Sequence, residues 1–269
     1  METKLIDGLT LFYPAEEREA AAAIGEACLQ SIAVIRDLWG LETPRDCRVY
    51  VMDSWRRFVF HSAPWPWRIL LAGTLPLWMP RVKKVWRYAG GWAQRYGHRR
   101  AIGVKPPRLL ETAEKHLGRR IYIPGADPYQ KIRQLSCHEL THAFTAHLKL
   151  PAWLNEGLAM VTVDRMMGKP TIQSETIRAL DSPSRAGIPK GYKRLRRENE
   201  DGLVYHYVRG YWITRYLMEA HPERLRDLLG RRWDQRALER QLAAGLGMNR
   251  QQFWMNIDRL AVSHFGPSS

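Results

Sequence analysis

The sequence predicts an α+β fold: a small N-terminal mixed sheet, a central pair of helices that carries the chemistry, and an all-helical C-terminal lobe. Three observations predict it. Two short β-type runs, Leu9–Tyr13 and residues 47–52, flank one long helical tract near the N-terminus. The middle of the chain holds two helical tracts separated by Pro151. From Leu203 onward the apolar residues recur at helical spacing, interrupted by Pro222 and by Gly245 and Gly247.

From the N-terminus, Leu9–Tyr13 reads as a strand stopped by Pro14. Residues 15–38 read as one helix. Glu16, Glu17 and Glu19 stand in its first turns, where carboxylates suit the positive end of the helix dipole, and Gly40 ends it. Residues 47–52 form the second strand. This opening reads as scaffold.

Residues 54–110 differ from the rest. They contain no Asp or Glu, twelve lysines and arginines, and six of the eleven tryptophans. Val82, Val85, Trp86, Ala89, Trp92, Ala93 and Tyr96 recur at three- and four-residue spacing with cations between them, the layout of a basic amphipathic helix. Gly90-Gly91 in its middle opposes the helix by ~1 kcal/mol per glycine. Such a segment either packs its apolar stripe on the rest of the protein or lies in an anionic membrane surface. Nucleic acid is the least supported partner, because no recognised binding module is present. The net charge of +15 attracts anionic partners without choosing among them.

Residues 119–123 read as a strand. Asp127-Pro128 then has the chemistry of a helix start, Asp as N-cap and Pro as first helical residue. The helix carries His138-Glu139-Leu140-Thr141-His142, an H-E-x-x-H motif. Residues four apart share a helix face, so the two imidazoles can reach one ion. Glu139 is turned roughly 100° from His138, which sets its carboxylate where it can take a proton from water. A zinc site needs a third protein ligand. Glu156 is the best candidate: it follows the Pro151 break and opens the tract Leu158-Ala159-Met160-Val161, so a helix–turn–helix returns it over the histidines.

Residues 136–160 resemble the gluzincin metallopeptidases, and more closely the peptidase MA-like group. The P-x-W-x-x-E-G-x-A signature of that group reads here as Pro151, Trp153, Glu156, Gly157 and Ala159. The resemblance implies a zincin-like metallopeptidase domain, Zn2+ held by His138, His142 and Glu156, Glu139 as general base, and a peptide or protein substrate. Its element order implies a catalytic lobe over 1–202, with the Trp-rich insertion at about 54–110, and a helical lobe of the same domain over 203–269. It implies that the strand at 119–123 is the edge strand against which an extended peptide pairs. It also implies a tyrosine that donates to the oxyanion from the first C-terminal helix. Aligned on Trp212-Ile213-Thr214-Arg215-Tyr216-Leu217, that residue is Tyr207, with Tyr205, His206 and Tyr211 competing for the role. One position departs from the group. Many gluzincins have an acid four residues after the ligand Glu, and here that position is Met160; Asp164 lies two turns beyond Glu156.

Residues 182–202, rich in Pro, Gly and cations, read as a loop, and helices follow at 203–220, 223–230, 235–244 and 249–264. Cys28, Cys47 and Cys137 show no paired spacing, which fits a reducing compartment. The N-terminus lacks the basic-then-apolar layout of a signal peptide, and no tract approaches the ~20 apolar residues of a membrane span. A cytoplasmic protein is expected, peripheral to the membrane if residues 54–110 bind it. The functional expectation is zinc-dependent hydrolysis of peptide bonds. The alternatives are a zincin-like binding protein without catalysis and a basic adaptor whose function lies in residues 54–110.

Overall fold

The computed structural model describes residues 1–86, 89–110, 118–124, 127–181, 187, 191 and 199–266, leaving aside the side chains at 81, 84 and 85. The chain forms two compact units, Met1–Val34 with Glu42–Arg119 and Pro124–Phe144, and Ile35–Leu41 with Arg120–Ile123 and Thr145–Ser269.

The first unit is built on a five-stranded mixed sheet. Its strands are β1 (Glu2–Ile6), β2 (Leu9–Tyr13), β3 (Cys47–Val51), β4 (Gly91–Tyr96) and β5 (Arg99–Val104), in the order β1-β2-β3-β5-β4. The three central strands run parallel, and both edge strands are antiparallel to their neighbours. β1 and β2 join through Asp7 (φ 40°) and Gly8 (φ 82°), an Asp-Gly turn in which both residues take the left-handed conformation that matches hairpin twist. Helix α1 (Arg18–Trp39) makes the crossover that the parallel β2–β3 pair requires. One set of side chains in this unit, Leu9, Leu11, Ile24, Ile32, Val49 and Ile102, is almost wholly buried. The sheet also contributes Tyr50, Tyr96 and Ala101 to a second cluster, completed by Met52, Phe58, Val59 and Ala63.

That second cluster is covered by the acid-free segment. It forms α2 (Trp55–Ser62), α3 (Trp65–Gly73) and α4 (Leu75–Trp86), then β4 and β5. The amphipathic helix expected through Tyr96 is therefore corrected: α4 ends at Trp86, and Trp92 and Tyr96 lie on a strand. Trp78, Trp86 and Trp92 pack against the cluster. The spacing that reads as a helical stripe is shared by the end of one helix and the alternation of one strand. Gly90-Gly91 mark the change, and a β-carbon on Gly90 would press to 2.7 Å from Leu135.

The second unit is helical: α7 (Ala152–Met167), a 3-10 stretch (Ser174–Asp181), α8 (Glu200–Ala220), α9 (Pro222–Leu229), α10 (Gln235–Gly245) and α11 (Arg250–Phe265). α7 and α8 pack closely at its centre. A β-carbon on Gly157 would lie 2.3 Å from the Gly210 carbonyl oxygen, and one on Gly210 would lie 2.4 Å from that of Trp153. Asn199, Asp234 and Asn249 cap α8, α10 and α11 with their side chains. The strand expected at 119–123 is also corrected. Gly118–Ile121 is a short helix, α5, and Tyr122 makes one antiparallel bridge to Ile172. The expected loop over 182–202 falls largely outside the described residues, and from Glu200 the chain is already α8. No helix among the described residues is long and apolar enough to cross a membrane.

Candidate metal centre

Helix α6 (Pro128–Thr145) starts as its sequence predicts. The Asp127 carboxylate accepts from the backbone N–H of Tyr129 at 2.7 Å and of Gln130 at 3.0 Å, satisfying two donors that the first turn leaves open. Ten residues on, the helical period sets His138 and His142 on one face. Their Nε2 atoms stand 3.0 Å apart, with ring centroids at 4.6 Å and planes crossing at 89°. Two ring nitrogens turned on one point is the arrangement a shared ion would select.

The turn after α6 passes through Lys149 in the left-handed conformation (φ 55°) and reaches Pro151, from which α7 begins. The Thr145 hydroxyl donates to Asn155 Oδ1 at 2.8 Å, so the last residue of α6 holds the neighbour of Glu156. Glu156 is one turn into α7 and only 5 % exposed. The ligand atoms of His138, His142 and Glu156 all lie within 4.8 Å of one another. Two nitrogens and one carboxylate oxygen are a zinc donor set, and tetrahedral bonds of ~2.0–2.1 Å put ligand atoms about 3.3 Å apart. The residues present fit the ion. A buried carboxylate beside two imidazoles also gains from a cation, which offsets its desolvation.

Glu139, on the same helix, is 8 % exposed. The strand beside it is β4: a β-carbon on Gly91 would fall 2.5 Å from Glu139 Cγ and 2.7 Å from its Oε1. Gly90 and Gly91 thus face Leu135 and Glu139, one turn apart on α6. The sheet edge at Glu139 is this strand and not residues 119–123, which instead join residues 171–173 in the second unit. Sequence reasoning missed Gly91. The signal was available in the Gly-Gly pair followed by alternating Trp-Ala-Gln-Arg-Tyr.

On α8, Tyr207 is half-buried with its ring 6.2 Å from that of His206. His206 is 6 % exposed, and its Nε2 is buried without a hydrogen-bond partner. Burial pushes its pKa down to about 4, against the opposing pull of the Glu156 carboxylate, so the ring is neutral at pH 7. Tyr211 is occupied elsewhere: its hydroxyl donates to Asp164 at 2.6 Å and accepts from Arg215 at 3.2 Å. Asp164 also accepts from the backbone N–H and hydroxyl of Thr171, which ties down the chain after α7. Met160 is fully buried as core. The three cysteines are free and buried, and burial raises the thiols of Cys47 and Cys137 to about 12.

A mixed sheet, an H-E-x-x-H helix followed by a helix bearing a third ligand, and a helical lobe make an α+β architecture of the zincin-like kind. Its His138/His142/Glu156 group is a plausible site for a divalent ion such as zinc. No family model and no curated protein matches the chain.

Proposed function

We propose that the protein is a gluzincin-like metallopeptidase that hydrolyses peptide bonds. The observation that carries this reading is the convergence of the His138 and His142 Nε2 atoms, 3.0 Å apart, with the Glu156 carboxylate within 4.8 Å. His138, His142 and Glu156 would hold the ion. Zinc held there would supply Lewis acidity to a scissile carbonyl and to a water.

The rest of the chemistry belongs to the chain. Glu139 takes a proton from the water as its oxygen bonds to the carbonyl carbon. It returns that proton to the amine nitrogen as the C–N bond breaks. The closeness of β4 to Glu139 supports an extended peptide as substrate, because an edge strand offers backbone groups to such a chain. Tyr207, which the resemblance assigns to the role, or its neutral neighbour His206 would donate to the oxyanion.

The test is metal analysis paired with hydrolysis of an unbiased peptide library. Wild type should carry close to one zinc per chain. His138→Ala with His142→Ala should abolish binding, because one remaining ligand does not hold zinc tightly. Glu139→Gln should keep zinc and lose ~10²–10⁴-fold in turnover, since an amide does not accept the proton. Glu156→Ala should lose metal and turnover together. Full zinc in the double histidine variant, or unchanged turnover in Glu139→Gln, overturns the reading.

A further inference from the structure

The inner and outer sides of the α3–α4 pair differ sharply. Leu71 and Trp78 lean on the apolar cluster of the first unit, and the Trp67 ring lies 5.8 Å from that of Tyr96. Trp78 Nε1 donates to the Leu71 carbonyl oxygen at 3.1 Å, joining the two helices. Yet no residue of α3 is buried. Trp65 is 71 % exposed, Ile69 58 %, Leu70 55 % and Leu77 83 %. Trp65 and Ile69 are four apart and so share a face, whereas Trp67 and Leu71, also four apart, share the opposite one. Trp67 keeps 43 % of its surface exposed as well, so the α3–α4 pair carries several large exposed hydrophobes close together in sequence.

Charge says what covers it. All twelve ionised side chains of residues 54–110 are cationic, and Arg56, Arg68 and Lys83 are exposed. We propose that the α3–α4 pair docks on the surface of an anionic lipid bilayer, with Trp65, Ile69, Leu70 and Leu77 entering the headgroup–acyl boundary and the cations meeting lipid phosphates and carboxylates. Tryptophan is the side chain that interfaces favour, being apolar in body and polar at one edge. A second copy of the chain is a poor occupant, because a twofold contact would set this basic segment against itself. Nucleic acid would use the cations and the indoles but leave Ile69, Leu70 and Leu77 without a partner. Trp86 and Trp92, which the sequence pattern offers as membrane contacts, are packed inward and take no part.

The full-length chain should float with vesicles of phosphatidylcholine and phosphatidylserine and not with phosphatidylcholine alone. Binding should weaken as salt is raised, because screening shortens the reach of the cations to about 10 Å at 0.1 M. The combined variant Trp65→Ser, Ile69→Ser, Leu77→Ser should keep the wild-type melting curve, since all three side chains are exposed, and lose about 10-fold or more in vesicle binding. Lys83→Glu with Arg56→Glu should reduce binding to the anionic vesicles. The proposal is overturned if neither vesicle binds, or if the serine variant binds as wild type does. It is equally overturned if vesicles leave the chain free while sedimentation detects self-association that the serine variant abolishes, or while single-stranded nucleic acid is bound.

Discussion

A β-carbon on Gly91 of β4 would lie 2.5 Å from Cγ of Glu139 on α6. No real β-carbon sits so close, so the strand reaches the proposed general base only because residue 91 has no side chain. Gly91→Ala should displace the Glu139 carboxylate without touching a metal ligand. The expected result is unchanged zinc content with turnover lower by ~10²-fold, the scale of a 1 Å misplacement. Gly73→Ala, whose added carbon meets nothing within 4 Å, is the control and should be silent. Equal turnover in Gly91→Ala and wild type would count against Glu139 as the base.

Gly157→Ala should be costly in a different way. Its new carbon would fall 2.1 Å from Thr214 Oγ1 and 2.3 Å from the Gly210 carbonyl oxygen, and the second of these is backbone that cannot rotate away. A loss of about 3 kcal/mol or more is expected in urea unfolding, at the upper end for overpacking. Because α7 must shift to make room, zinc affinity should fall as well.

Arg209 and Asp258 form an ion pair at 2.7 Å with side chains 4 % and 7 % exposed. Arg209→Met alone leaves a buried carboxylate without its partner and should cost about 3–5 kcal/mol. Arg209→Met combined with Asp258→Leu removes both charges and should recover most of that loss. A double variant as unstable as the single one would mean that shape, not charge, sets the cost.

Lys105 is 2 % exposed, with its ammonium over the Trp86 ring and donating to the Trp86 carbonyl oxygen. Burial lowers its pKa to about 8. The folded state thus gives up this proton more readily than the unfolded chain, whose lysine titrates near the usual ~10.4. Its contribution is complete above the unfolded pKa and is lost as pH falls through about 8. The stability of wild type relative to Lys105→Met should therefore rise between about pH 8 and 10.4, by up to ~3 kcal/mol at 1.36 kcal/mol per unit. A flat difference across that range would show that the ammonium is solvated.

The chemistry was more legible in the sequence than the frame around it. His138, Glu139 and His142 are close in the chain, so helical period alone relates them, and Pro151 announced the turn that returns Glu156. Asp127-Pro128 marked the start of α6 for the same local reason. The strands were harder. β1 went unread although its Asp7-Gly8 turn is a hairpin signal, because a five-residue edge strand with Thr3, Lys4 and Leu5 exposed has no buried stripe. β4 was hidden by coincidence: Trp92, Ala93 and Tyr96 continue a helical spacing begun by Val82 and Trp86, and only pairing with β5 decides the matter. Such pairing is non-local and leaves little trace in a single sequence. Arg119 to Ile123 has strand-like residues, yet extended pairing begins only at Ile121, where residues 171–173 supply partners.

The glycine contacts between α7 and α8 also bear on the order of events when an ion arrives. Trp153 approaches Gly210, and Gly157 approaches Gly210 and the Thr214 side chain, so closely that no β-carbon fits at either glycine, and Glu156 lies between Trp153 and Gly157 on α7. The backbone that carries Glu156 is therefore placed by helix packing within the second unit. A chain that ordered its third ligand only on capture would spend binding energy on folding and would unfold in a chelator. Here helix packing places the Glu156 backbone, so chelation should empty the centre while the helices of the second unit persist. Metal exchange then becomes a matter of ligand opening, on a timescale separate from that of unfolding.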